Sequence, residues 1–140
     1  MIHEEICTYE VCKVAKEKGF NCEVYNYYQA TKYYCESLRG IELHSECWKL
    51  ETDECYSRYN KGSEDIVSAP TQSLLQRWLR ENKEVEVYVR HFEETNKYPH
   101  HFGVIITDNK GEVLEIGAKM FDTYELALED ALKYALENLV

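Results

Sequence analysis

The sequence predicts an α+β protein, and three features of its second half carry that prediction. Residues 70–83 hold apolar side chains at helical spacing, residues 84–92 and 99–107 alternate with the period of a strand, and residues 121–139 return to a helical stripe. The expected second half is an α-β-β-β-α unit, a three-stranded antiparallel sheet with two helices on one face. It follows a small Cys- and Tyr-rich N-terminal α+β unit. The boundaries read as 1–60 for the helix-plus-hairpin N-terminal unit, 61–69 for a linker and 70–140 for the second unit.

Taken in chain order, the first helix is 9–18. Thr8 stands at its N-cap, Val11, Val14 and Ala15 form one stripe, and Gly19 supplies the left-handed residue that ends it. Phe20 then takes the hydrophobic position of a Schellman motif against Ala15. Cys7 and Cys12 occupy the staple positions around the cap, where small apolar side chains belong. Tyr25, Tyr27, Tyr28, Tyr33 and Tyr34 favour a β-hairpin within 22–38, with a polar break at Gln29–Lys32. Residues 41–59 read as a short strand and then a helix carrying Cys55, Tyr56 and Tyr59 on one side.

Ser68 and Pro70 mark the next helix start, with Leu74, Leu75, Trp78 and Leu79 inward and Gln76, Arg77, Arg80 and Glu81 outward. The alternating runs fold as a hairpin in which Phe92 meets Pro99, Val89 meets Phe102, Val87 meets Val104 and Val85 meets Ile106. One face is then wholly apolar. A three-residue loop, Asn109-Lys110-Gly111 with Gly111 left-handed, sets Leu114 against Ile106, Ile116 against Val104 and Ala118 against Phe102. Asp122 and Glu125 make a capping box inside the staple Phe121/Leu126. The stripe behind it is Tyr124, Ala127, Leu128, Ala131, Ala135, Leu136 and Leu139.

Sixteen Lys and Arg against 26 Asp and Glu leave a net charge of −10, and residues 1–66 and 67–140 each hold 8 basic and 13 acidic side chains. Neither half is basic enough to track a phosphate backbone. Such acidity serves solubility. No apolar run reaches the roughly 20 residues that span a bilayer. The acidic start Met1-Ile2-His3-Glu4-Glu5 has no apolar stretch behind it, so the expected location is cytoplasmic. All six cysteines fall within the first 55 residues. A reducing compartment disfavours disulfides, and the close ligand pairs of a structural zinc site are missing. Free thiols, without metal or cofactor, are expected.

In order and length, residues 70–140 resemble the double-stranded-RNA-binding domain. Lys110-Gly111-Glu112-Val113-Leu114 matches that family's turn and third strand, and Tyr98-Pro99-His100 stands where the family carries its Gly-Pro-x-His loop. The resemblance implies contact with duplex minor grooves by shape. The family holds phosphate with lysines at the start of its last helix; here residues 122–130 contain Asp122, Glu125, Glu129 and Asp130 and no Lys or Arg. Tyr98 also replaces the loop glycine. The expectation is therefore the fold without the ligand. A second resemblance, to uncharacterised small proteins of gut Bacteroidetes and their phages, rests on Ser68-Ala69-Pro70-Thr71-Gln72-Ser73-Leu74-Leu75-Gln76-Arg77-Trp78-Leu79-Arg80-Glu81. Phe121-Asp122-Thr123-Tyr124-Glu125 and Lys16-Glu17-Lys18-Gly19-Phe20 support it. It implies a phage or mobile-element origin and assigns no activity.

No Gly-rich phosphate loop, Gly-x-Ser-x-Gly elbow or paired zinc-ligand spacing appears, so the chain is not expected to be an enzyme. His44 and Cys47 suggest a Cys–His nucleophile only by proximity in sequence. The predicted register sets His91 opposite His100, a candidate metal pair. On the outer sheet face it aligns Arg90, His101 and Lys119, with Tyr88 across Gly103 and Gly117, and Phe92, Ile105 and Val113 beside them. Either the N-terminal half packs on that face or a partner does. The expected function is a non-catalytic protein-interaction module, a small acidic adaptor with an unidentified protein partner or with itself. The alternatives are nucleic-acid binding through the Arg90–His101–Lys119 row and a cysteine- or metal-dependent activity in the first half.

Overall fold

The computed structural model describes residues 4–38, 40–52, 65–91, 102–115 and 120–140. The elements are α1 (Tyr9–Glu17), β1 (Asn26–Ser37), β2 (Gly40–Thr52), β3 (Ile66–Ser68), α2 (Gln72–Lys83), β4 (Glu86–His91), β5 (Phe102–Thr107), β6 (Val113–Glu115) and α3 (Tyr124–Asn138). They form an α+β fold with two antiparallel three-stranded sheets, ordered β2-β1-β3 and β4-β5-β6.

α1 ends as its sequence dictates. Gly19 adopts φ 94°, Phe20 N–H donates to Ala15 O at 2.9 Å and Gly19 N–H donates to Lys16 O at 3.1 Å, the two bonds of a Schellman motif. Cys7 and Cys12 are fully buried around the other end. Thr8 is the N-cap in backbone conformation only. Its hydroxyl donates to Glu129 of α3 at 2.7 Å instead of accepting from α1.

The region after α1 departs from expectation. β1 runs unbroken through Gln29–Lys32 and pairs with β2 from Asn26↔Thr52 to Ser37↔Gly40. The hairpin is thus longer than expected, spanning 26–52 instead of closing within 22–38. Its tyrosines include the adjacent Tyr27 and Tyr28, which fall on opposite faces, so no alternation marks the strand. A strand also occupies most of the span read as strand plus helix; Cys55, Tyr56 and Tyr59 lie outside the described residues. The expected linker ends in core. Ile66–Ser68 is β3, paired with β1 at Tyr27, Tyr28 and Gln29, and Val67, Ser68 and Ala69 are buried. Val67, Phe20, Leu75 and Leu136 belong to one hydrophobic cluster, to which both halves of the chain contribute.

Both C-terminal helices start later than expected, α2 capped three residues beyond Ser68 and α3 one residue beyond Asp122. Thr71 caps α2 and Thr123 caps α3, each hydroxyl accepting an N–H at 3.2 Å, from Leu74 and Leu126. Pro70 lies just before the cap, and its carbonyl accepts from Cys7 N–H at 3.0 Å. Tyr124 and Leu126, in the first turn of α3, stand outward, 43% and 55% exposed. The buried stripe is two parallel rows instead, Ala127-Ala131-Ala135 and Leu128-Leu132-Leu136. α2 closes on Glu84 at φ 56°, with Val85 N–H donating to Leu79 O at 3.2 Å.

In the second sheet the faces are as expected and the first register is not. Val87 pairs with Ile106 and Val89 with Val104, a slip of two residues from the predicted hairpin. A two-residue slip keeps every side chain on its own face, so the apolar pattern does not discriminate between the two registers. The second turn is where the sequence puts it. Gly111 has φ 76°, Ile106 pairs with Leu114, and Asp108 Oδ1 accepts from the backbone N–H groups of Lys110 and Glu112, both at 2.9 Å. A Cβ at Gly111 would touch nothing within 4 Å, so only backbone conformation penalises one. Gly111→Val should cost about 1–3 kcal/mol in urea unfolding while Lys110→Ala stays near zero. Equal effects at the two sites would refute the left-handed turn.

α3 is the central element. It packs on β4 and β5, on α2, and on α1, which also contacts β3. The described elements of the N-terminal half therefore dock on the helical layer through α1. The contact suits the surfaces. Val11, Cys12 and Ala15 of α1 are small and fully or almost fully buried, and polar links at Thr8–Glu129 and Lys133–Glu10 (3.2 Å) flank them.

Candidate interaction face and neighbouring surfaces

β4 sets Glu86, Tyr88 and Arg90 on its outward side, because the inward side is taken by Val85 and Val87. β5 adds Ile105, paired with Tyr88, and Thr107, paired with Glu86; β6 adds Val113, paired with Thr107. Tyr88 is 47% exposed and Val113 64% exposed, with Ile105 half-buried and Arg90 exposed. The Tyr88 hydroxyl donates to the Glu86 carboxylate, which holds the phenol above its ordinary pKa and directs the ring along the sheet. The result is an amphipathic strip with aromatic, aliphatic and cationic members.

The register breaks up the arrangement expected there. Arg90 pairs with Gly103, and Tyr88 lies over Ile105 instead of over strand glycines. Phe92, His101 and Lys119 lie outside the described residues, as does His100. His91 pairs with Phe102, its ring 5.2 Å from the phenyl centroid in an edge-on contact, where the expected register gave it His100 as partner. Among the described residues no group of three or more His, Cys, Asp or Glu side chains could hold a metal ion.

The cysteines separate by burial. Cys12 Sγ donates to Cys7 O at 3.6 Å, and the bond with Cys12 together with burial pushes the Cys7 thiol far above its ordinary range. A thiol held protonated in this way is a poor nucleophile. Cys22 is half-buried, with burial raising its pKa, and Cys47 is exposed. The side chain of His44 lies outside the described residues, and the His44–Cys47 reading with it.

Sequence reasoning missed the aromatic joint between α1 and the first sheet. Tyr9 stacks on Trp48 at 4.5 Å and 18°, and meets Tyr28 edge-on at 5.8 Å. The Tyr28 hydroxyl donates to Cys7 O at 2.7 Å, and burial pushes its pKa up to about 12. Beside this joint lies a cleft of about 540 Å³ whose lining includes Lys13, Lys16 and Lys32. Two of these lysines are already engaged: Lys16 donates to Ile66 O at 2.8 Å and Lys32 pairs with Asp65 at 2.7 Å. A second open cleft, about 580 Å³, lies between α2 and residues 23–26 and mixes Arg77 and Arg80 with Glu4 and Glu23. Arg77 is paired with Glu81 at 2.9 Å. The spacing of Tyr28 opposite Leu50 and Ala30 opposite Trp48 was the available signal for the joint, but it emerges only once β1 and β2 are paired.

No helix among the described residues is long and apolar enough to cross a membrane. Comparison with protein-family models, curated proteins and solved structures finds no match.

Proposed function

We propose that this protein is a non-catalytic protein-interaction module whose contact surface is the outer face of β4-β5-β6, centred on Tyr88, Ile105 and Val113 with Arg90 at its edge. The observation that carries the reading is exposure. An aromatic and an aliphatic side chain, Tyr88 and Val113, stand 47% and 64% exposed on one small sheet while α1, of the N-terminal half, packs on α3 at the opposite, helical side. Single exposed apolar residues are ordinary on protein surfaces, but several on one sheet face with a neighbouring Arg have the composition of an interface core.

Nucleic acid is the weaker occupant. Around the start of α3, where the RNA-binding family holds phosphate, Asp122, Glu125, Glu129 and Asp130 put negative charge against the positive helix end, and Glu129 is already bonded to Thr8 and Gln72. A photo-crosslinking residue placed at Tyr88 should give one discrete protein adduct in the native cells. The same residue at exposed Lys110 should give none. In parallel, the purified protein should show no saturable binding to a 20-base-pair duplex at low salt, the condition most favourable to phosphate contacts. Equal adducts from both positions, or tight duplex binding abolished by Arg90→Glu, would overturn the reading.

A further inference from the structure

The first sheet ends in β2, a strand of 13 residues whose only strand neighbour among the described residues is β1, in the order β2-β1-β3. A long edge strand is a template for another strand, and proteins blunt such edges with charge or a bulge. The bulge in this hairpin lies at Tyr33/Tyr34, toward the turn, and leaves the segment Trp48–Thr52 regular. Lys49 is the one Lys or Arg of the segment, and it forms an ion pair with Glu51 of the same strand at 3.7 Å. Leu50 is 41% exposed.

We infer that this edge is a homodimer interface, in which the Trp48–Thr52 segments of two copies pair antiparallel about a two-fold axis at Leu50. The argument is one of self-complementarity. When two identical strands pair about an axis normal to their sheet, the axis must pass through a residue position, because directly opposed residues share a face. The possible centres can therefore be compared one by one. Centring on Glu46 or on Lys49 sets like charges against each other. Centring on Cys47 or Trp48 leaves Lys49 opposite an uncharged residue. Centring on Leu50 sets Lys49 opposite Glu51 of the second copy, twice over, with Leu50 against Leu50 and Trp48 against Thr52.

In that register the existing Lys49–Glu51 pair becomes half of a four-charge square, alternating in sign around the axis. Leu50 loses its exposure against its own copy, and the two sheets join into one of six strands. The occupant is a second copy of this chain because its charges fit that copy in both directions. An unrelated peptide would have to supply the same Lys-x-Glu spacing. The interface is separate from the outer face of β4-β5-β6, so its failure leaves the proposed function standing, and the reverse also holds. A dimer would carry two such faces, and a partner with two sites would be held by avidity.

The test is sedimentation equilibrium of the full chain in about 0.15 M salt, which shortens the reach of the net negative charge to roughly 8 Å. A monomer–dimer equilibrium with a Kd in the micromolar range, on the order of 10 µM, is expected for so short a pairing. Lys49→Glu and Glu51→Lys should each weaken it about tenfold or more, and the double swap Lys49→Glu/Glu51→Lys should restore it. Circular dichroism checks that each variant is folded. If a single variant does not fold, a covalent readout replaces it. In a Cys47→Ser background, Leu50→Cys should oxidise to a disulfide-linked dimer and Glu46→Cys should not, since only the central pair comes within disulfide reach. A monomer at roughly 100 µM, a dimer indifferent to the charge reversals, or cross-linking equal at 46 and 50 would each overturn the inference.

Discussion

Phe20→Ala is expected to destabilise the whole protein by about 3–5 kcal/mol, in one cooperative transition. Phe20 is 1% exposed, and its ring meets the Trp78 indole edge-on at 5.5 Å, joining the residue that ends α1 to the middle of α2. Truncation leaves a phenyl-sized cavity between halves of the chain that share a single apolar cluster. The backbone bond from Phe20 N–H to Ala15 O survives, so the loss is one of packing. Trp48 reports on the first half and Trp78 on the second. Single-tryptophan versions of the variant should therefore give coincident urea curves. Two separated midpoints, with only the Trp48 signal displaced, would mean that the halves unfold independently and that the shared core is not cooperative.

Glu129→Ala is the second large effect, about 2–3 kcal/mol. One carboxylate on α3 serves two other elements. Oε1 accepts from the backbone N–H and the hydroxyl of Thr8, both at 2.7 Å, and Oε2 accepts from Gln72 Nε2 at 2.8 Å. Its position at the N-terminus of α1 also places negative charge at the positive helix end. Removing it leaves Thr8 with two donors to satisfy, while the Gln72 amide, 4% exposed, keeps its bond to Glu125 O at 2.9 Å. Glu129→Gln, which retains one acceptor oxygen, should fall between wild type and Glu129→Ala. A cost of no more than about 0.5 kcal/mol for the alanine variant would show that solvent replaces the carboxylate.

The parts of this fold that were legible in the sequence are those written by local chemistry. Gly19 followed by Phe20, and Gly111 at the end of Asn109-Lys110-Gly111, announce backbone conformations that few other residues adopt, and both stand as read. The inward face of β4 and β5 was legible because alternation has a period of two. That same period hid the register, since Val89 is equally content opposite Phe102 or Val104. The α3 cap was misplaced by one because Asp122 and Thr123 are both capping residues, and Tyr124 and Leu126, in the first turn, stand exposed. The side on which the N-terminal half docks was hidden for a different reason. It is decided by bonds such as Thr8–Glu129, 121 residues apart, which leave no pattern in a local window. Of the candidate face, Tyr88, Arg90 and Ile105 were identified correctly as outward-facing, while the cross-strand neighbours assigned to them inherited the register slip.

The packing of α1 on α3 also sets an order of events during synthesis. Val11, Cys12 and Ala15 leave the ribosome well before α3, against which α1 packs. The hairpin β1–β2 closes over short separations and is free to form at once, whereas the helix that precedes it must wait through more than a hundred further residues. Throughout that interval the nascent chain carries an apolar helical stripe without its cover. This is the state in which small proteins are most exposed to wrong contacts. The small size of those three side chains limits the apolar area on offer while the chain waits.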